Sequence, residues 1–142
     1  MYKFSNNSKR ELETCHLILQ YIFEQVLKYG LIDIAVIQGV RTRSEQNRLF
    51  DIGKSRVQWP NSRHNIKKLG DKSNAVDVAP CIFGKVSWKK EHCIYVAGVA
   101  QGVGRSIGVD LRWGGNWDMD GEPVTDQAFQ DLVHYELAGE KK

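Results

Sequence analysis

An aspartate, Asp77, stands inside the otherwise apolar run NAVDVAP at residues 74–80. Burying a carboxylate without a partner costs several kcal/mol, or forces it to take up a proton. Two histidines, His64 and His134, are candidates to share its surroundings. A catalytic zinc takes three protein ligands from His and carboxylate and keeps a fourth position open. A cation held by His64, Asp77 and His134 would account for an acid in an apolar strand. The same residues also fit an ion pair of Asp77 with Arg41 or Arg43, with both histidines hydrogen-bonded in the core. Spacing alone leaves both readings open. Asp131 precedes His134 by three residues. Beside a metal ligand it reaches the attacking water without coordinating the ion, which is the position of a general base. Without a metal it reads as a surface carboxylate at a helix end.

A second constellation lies in NWDMDGEPVTDQ, residues 116–127. Oxygen-bearing side chains at loop positions one, three and five, then glycine at six, follow the calcium loop of an EF-hand. Asn116, Asp118 and Asp120 are the candidate calcium ligands. Gln127 stands where a bidentate Glu is expected, and Asp126 is the substitute. An Asp-rich turn is the alternative. If calcium binds, it orders the loop leading to Asp131. The other histidines look inert: His92 and Cys93 are adjacent on a predicted helix, point about 100° apart and make a poor chelating pair, and His16 lies within the first predicted helix.

The elements that must position these residues are legible from periodicity. Residues 8–29 predict an amphipathic helix, with Leu12, Cys15, Leu19, Ile22 and Val26 on one stripe, Ser8 and Glu11 at capping-box spacing, and Gly30 as the stop. Residues 32–38, IDIAVIQ, predict a strand. Thr42 and Glu45 open a short helix that Gly53 ends. Residues 54–73 predict a long loop, functional or mobile by its length. NAVDVAP predicts a second strand, with Val76 and Val78 on one face and Ala75, Asp77 and Ala79 on the other. Ser87 is a candidate cap for a helix over about residues 88–107, stopped by Gly108. VDLRW (109–113) and VHYEL (133–137) predict strands around a Gly- and Asp-rich loop and a short helix after Thr125. On the last strand His134 and Glu136 share a face. Helices and short strands mix without regular βαβ alternation, so the expected class is α+β, a small antiparallel sheet flanked by helices in a single domain.

Composition narrows the class less sharply. The 142 residues are 42% hydrophobic and 26% charged, as in an ordinary soluble chain. The net charge of +3 suits an anionic partner, nucleic acid or cell-wall polymer, and selects neither. Three cysteines without CxxC spacing (Cys15, Cys81 and Cys93) argue for a reducing compartment. The polar start MYKFSNNSKRELE has no apolar core of a signal peptide, and no apolar stretch reaches the length of a membrane span.

Five segments in order carry a resemblance: QGVRT (38–42), SRH (62–64), NAVDVAP (74–80), LRWGGNW (111–117) and DLVHYEL (131–137). Together they resemble the zinc peptidases that include D-Ala-D-Ala dipeptidases and carboxypeptidases, and especially phage endolysins that cut L-alanyl-D-glutamate bonds. The resemblance implies zinc ligands at His64, Asp77 and His134, a general base at Asp131, and Arg41 near the scissile carbonyl to hold the oxyanion. Gln38 and Ser62 are candidate substrate contacts, or loop caps. Trp113 and Trp117 are candidates for the cleft floor or for the core, and Glu136 for orienting a ligand or facing solvent. One departure stands out. The family usually has about half as many residues between its His and Asp ligands as the twelve found here, so the material around IKKLGDK must loop out, and it is expected to border the cleft.

The resemblance thus implies a peptidoglycan hydrolase whose partner is the bacterial wall, built from residues 1–142 as one catalytic domain without a separate wall-binding domain. It is expected to be a monomer, without nucleic-acid binding or membrane insertion, held in the host cytoplasm until released to the wall. Two other readings remain in view: a D-Ala-D-Ala carboxypeptidase with the same metal and base, and a non-catalytic basic module binding wall or nucleic acid.

Overall fold

The computed structural model describes residues 1–122 and 130–138. The helix expected after Thr125, the candidate calcium ligand Asp126, and Gln127 lie outside the described residues. In chain order the elements are α1 (Asn6–Glu13), α2 (Leu17–Tyr29), β1 (Asp33–Gln38), α3 (Arg43–Asp51), β2 (Ala75–Ile82), β3 (Lys85–Val86), α4 (Lys90–Ser106), β4 (Leu111–Gly114) and β5 (Asp131–Leu137). The strands form one antiparallel sheet in the order β1-β2-β5-β4, with the short β3 paired to β2. The class is α+β, as expected.

Alternation along the strands separates two faces. Val76, Val78, Leu111, Trp113 and Tyr135 are buried with Leu19, Ile22, Phe23 and Val26 of α2 and Val96, Ala97 and Ala100 of α4. The rings of Phe23 and Tyr135 meet edge-on at 5.0 Å, a favoured aromatic geometry. At roughly 25 cal/mol per Å² of apolar surface removed from water, this layer supplies the main drive for the sheet to form. The opposite face is polar and carries the site. Among the described residues, no helix is long and apolar enough to cross a membrane.

The expected helix over 8–29 is two helices. Thr14, Cys15 and His16 leave the helical path because other segments claim their backbone: His16 N–H donates to the Ser73 carbonyl at 2.8 Å, and Ser73 N–H to the Thr14 carbonyl at 2.9 Å. His16 then caps α2, its Nδ1 accepting from the Ile18 N–H at 3.1 Å. Ser8 and Glu11 also do different work from a capping box. Ser5 is the N-cap of α1. The buried Ser8 hydroxyl accepts from Val36 N–H at 3.0 Å, and the Glu11 carboxylate accepts from Gly39 N–H at 2.9 Å. Thr42 and Glu45 do form the capping box of α3. Ser87 is not the N-cap of α4; Lys89 is, and Ser87 instead bonds His92 Nδ1 at 2.6 Å. The β2–β3 hairpin, turning at Phe83 and Gly84 with positive φ at both, has no counterpart in the sequence reading.

Candidate active site

The register of β2 and β5 sets Asp77 directly opposite His134. Both point to the polar face. His64 arrives from the long segment between α3 and β2 and is 1% exposed. Its Nε2 lies 3.1 Å from Asp77 Oδ1 and 3.3 Å from His134 Nδ1, and His134 Nδ1 lies 3.4 Å from the same Asp77 oxygen. The three donor atoms fall within 4.8 Å of one another, the only such group of His, Cys, Asp or Glu among the described residues. Three residues far apart in the chain therefore converge as expected.

The remaining ring nitrogens are committed elsewhere. His64 Nδ1 lies 2.8 Å from the Gly39 carbonyl, which only accepts, so Nδ1 carries the proton and Nε2 presents a lone pair. His134 Nε2 lies 2.8 Å from Glu136 Oε1, which leaves Nδ1 as the nitrogen a metal would use once it displaced the proton shared with Asp77. Glu136 is itself held by Arg112 at 3.2 Å and Arg63 at 3.5 Å. Glu136 does not face solvent: it is buried and bonded to His134. Gly39 packs tightly against the end of α1 because it has no side chain, and this places its carbonyl at the His64 ring. A Cβ there would meet Thr14 Oγ1 at 2.1 Å and the Glu11 carbonyl at 2.3 Å.

The electrostatics follow from this packing. Burial opposes the charge on Asp77, but the two imidazoles outweigh it and hold the carboxyl well below the usual range. Burial likewise opposes charge on His134, yet its bonds to Asp77 and Glu136 raise the ring to about 9. Asp131, at the start of β5, is pushed upward by burial and then by the nearby Asp77 charge, with the histidines and Arg41 acting against both.

Arg41 reaches Asp77 Oδ2 at 3.6 Å, so the expected ion pair and the three-residue cluster coexist. Arg43 instead lies over the Trp59 ring at 5.1 Å. Gln38 faces Arg41, its Oε1 accepting from Arg41 Nε at 3.4 Å. Ser62 caps its own loop, accepting from the His64 N–H at 3.2 Å, and also lines the cleft. Trp113 belongs to the core and donates to the Leu132 carbonyl at 2.8 Å, whereas the Trp117 ring lies 5.2 Å from that of His134 and lines the cleft.

The cleft over the cluster has a volume of about 280 Å³. Its walls come from residues 54–57 and 61–64, with Arg41, Trp117, Asp131, His134 and Glu136. The extra residues 66–72 are not among its lining residues, contrary to expectation. At their end Lys72 Nζ donates to the Glu13 carbonyl of α1 at 2.7 Å. Of the candidate calcium ligands, Asn116 is buried, with its Nδ2 donating to the Asp120 carbonyl at 3.1 Å and its Oδ1 without a partner among the described residues. Asp118 and Asp120 are on the same turn, with the Asp120 N–H donating to Asp118 Oδ1 at 3.4 Å.

Sequence reasoning missed Gln46. It is fully buried on α3, accepts from Arg41 Nη1 at 2.9 Å and from Asn65 Nδ2 at 3.3 Å, and donates to Ser55 Oγ at 2.8 Å and the Val57 carbonyl at 2.7 Å. Within RSEQNRLFD it looks like any polar helix residue, and no periodic signal marks it.

Comparison with known proteins gives the cluster its context. A family profile described as phage L-alanyl-D-glutamate peptidase matches residues 1–138. The L-alanyl-D-glutamate peptidase of Escherichia phage T5 is 30% identical over 122 residues, 85% of each chain. The crystal structure of the L-Ala D-Glu endopeptidase ChiX from Serratia marcescens superposes with a TM-score of 0.76 at 25% identity, covering 96% of this chain and 90% of that one. The chain belongs to the phage L-alanyl-D-glutamate peptidase family.

Proposed function

We propose that this peptidase cuts the L-Ala-D-Glu bond of peptidoglycan stem peptides, with one zinc ion held by His64 Nε2, Asp77 Oδ1 and His134 Nδ1. The observation that carries the metal assignment is the commitment of the opposite ring nitrogens to Gly39 and Glu136, which turns the remaining nitrogen of each ring toward one carboxylate oxygen. Two imidazoles and one carboxylate, with an open cleft above them, suit zinc better than the all-oxygen sets that calcium and magnesium prefer. Bound there, the ion would supply Lewis acidity toward the scissile carbonyl and the attacking water.

The chain's own residues complete the chemistry. Asp131 takes the proton as the water oxygen attacks the carbonyl carbon, and returns it to the amine as the C–N bond breaks. Arg41, fixed by Gln46 and Gln38, holds the developing oxyanion. Ser62 and Gln38 contribute to seating the peptide. Trp117 covers one side of the His134 ring and narrows solvent access. The protein accumulates in the host cytoplasm and meets its substrate when released to the wall.

Mass spectrometry of purified peptidoglycan after digestion tests this. The expected products are glycan strands ending in L-Ala and free peptides with a new amino-terminal Glu. Release of D-Ala alone would instead identify a carboxypeptidase, and an unchanged digest with no bound metal would favour a binding module.

The Asn116 oxygen, buried without a partner among the described residues, supports calcium as a second ion beside Asp118 and Asp120. Calcium titration monitored by tryptophan fluorescence checks it through Trp117; no response at millimolar calcium would end the idea.

A further inference from the structure

Among its described lining residues, the cleft carries more cations than carboxylates. Arg41, Lys54, Arg56 and Arg63 line it against two carboxylates, Asp131 and Glu136. Arg41 is engaged by Asp77, Gln46 and Gln38, Arg63 by Glu136 and the Leu137 carbonyl, and Arg56 also makes an interaction of its own. Lys54 has no carboxylate partner among the described residues. Both Lys54 and Arg56 are exposed, yet the segment that bears them is anchored. The Leu49 carbonyl accepts from the N–H groups of Lys54 at 2.8 Å and Ser55 at 3.1 Å. Gln46 holds Ser55 and Val57 from below. Through Gln46 the segment is two hydrogen bonds from Arg41, which in turn pairs with Asp77.

The substrate supplies the matching charge. A glutamyl residue has two carboxyl groups. Only one continues the peptide, and the other stays as an anion next to the scissile amide. We propose that Lys54 and Arg56, presented by the Gln46-anchored segment, form the subsite for that free carboxylate and set the preference for glutamate on the leaving side of the bond. This inference rests on the peptidase reading above. It adds a residue-level source of specificity that the metal cluster cannot provide, because Asp131 and the ligands act on the amide and not on the side group. Charge-assisted bonds between a carboxylate and such cations are the strong class of polar contact.

Two synthetic stem peptides test it: one with the free glutamyl carboxylate, and one with that group amidated. The native enzyme should cut the acid with a KM about tenfold or more below that of the amide, as loss of a charged hydrogen bond implies. The Lys54→Ala/Arg56→Ala double variant should raise KM for the acid, leave the amide unchanged, and so erase the preference with little change in kcat. Arg56→Glu should favour the amide. Equal KM values for both peptides with the native enzyme, or a preference that survives in the double variant, overturns the subsite while leaving the peptidase intact. Cleavage of neither peptide by the native enzyme refutes the peptidase reading and the subsite with it.

Discussion

The two halves of the site are built differently. Asp77 and His134 stand on neighbouring strands, and the backbone ladder that pairs them also pairs Val76 with Tyr135 in the core. Their placement is set by the same contacts that make the sheet, so a one-residue slip would turn the whole apolar set outward. His64 stands on a segment without regular structure. It is placed by the Arg41 N–H donating to its carbonyl at 3.0 Å, by the Gly39 carbonyl on its ring and by the Ser62 hydroxyl on its N–H. The strand half is over-determined. The loop half depends on a few buried polar contacts, each of which matters singly because an unmet buried partner is costly.

The largest test of that contrast removes the donors. Asp77→Ala, His134→Ala and His64→Ala should each reduce hydrolysis to background and abolish metal binding, measured by muropeptide release and metal analysis. The expected difference lies in folding: His64→Ala should keep the native circular dichroism spectrum, because the ladder is untouched. Loss of the sheet in His64→Ala would show that the loop half organises the strands.

Next in size, Asp131→Asn should lower kcat by about 10²–10⁴-fold with the metal retained. It should also raise the thermal stability of the metal-free protein. Burial lifts the Asp131 pKa from its ordinary 3.8, so the folded state holds that proton more tightly than the unfolded state does. Its stabilising contribution is therefore present at low pH and lost as pH rises through the folded value. A neutral amide should remove that loss at higher pH. A melting temperature lowered at neutral pH would contradict the environment described for this carboxyl.

The supports of the two histidines can then be compared. Glu136→Gln should weaken metal affinity about 10–100-fold, as expected for a group bonded to a ligand. Gly39→Ala should destabilise the fold by about 1–3 kcal/mol through overpacking against Thr14 and Glu11, and weaken metal binding as the carbonyl on His64 shifts. Chemical denaturation and competitive chelation measure both. The smallest effect should come from Thr42→Ala, which removes the cap of the helix bearing Gln46 at a cost of about 1 kcal/mol. A change in KM for the glutamyl peptide in that variant would show that α3 also tunes the cleft.

What was legible in the sequence follows the same division. An acid inside NAVDVAP and the alternation of VHYEL point to the strand half directly, because strand periodicity and burial are local properties. The capping box at Thr42 and the stop at Gly30 are local too. The break at Thr14–His16 was not legible: the stripe from Leu12 to Val26 continues through it, and only bonds to Ser73, nearly sixty residues away, interrupt the helix. Gln46 was hidden for the same reason, since its four partners come from three separate segments. The twelve residues between His64 and Asp77 suggested a cleft-edge loop because spacing carries length and no direction; residues 66–72 stay off the cleft lining, and Lys72 ties their end to α1.

The most direct test is anomalous diffraction at the zinc edge from crystals of the metal-loaded protein. The account predicts one zinc within about 2.0–2.2 Å of His64 Nε2, an Asp77 carboxylate oxygen and His134 Nδ1, below the cleft that holds Asp131. A zinc peak elsewhere, or an ion bound without one of these three donors, would contradict it.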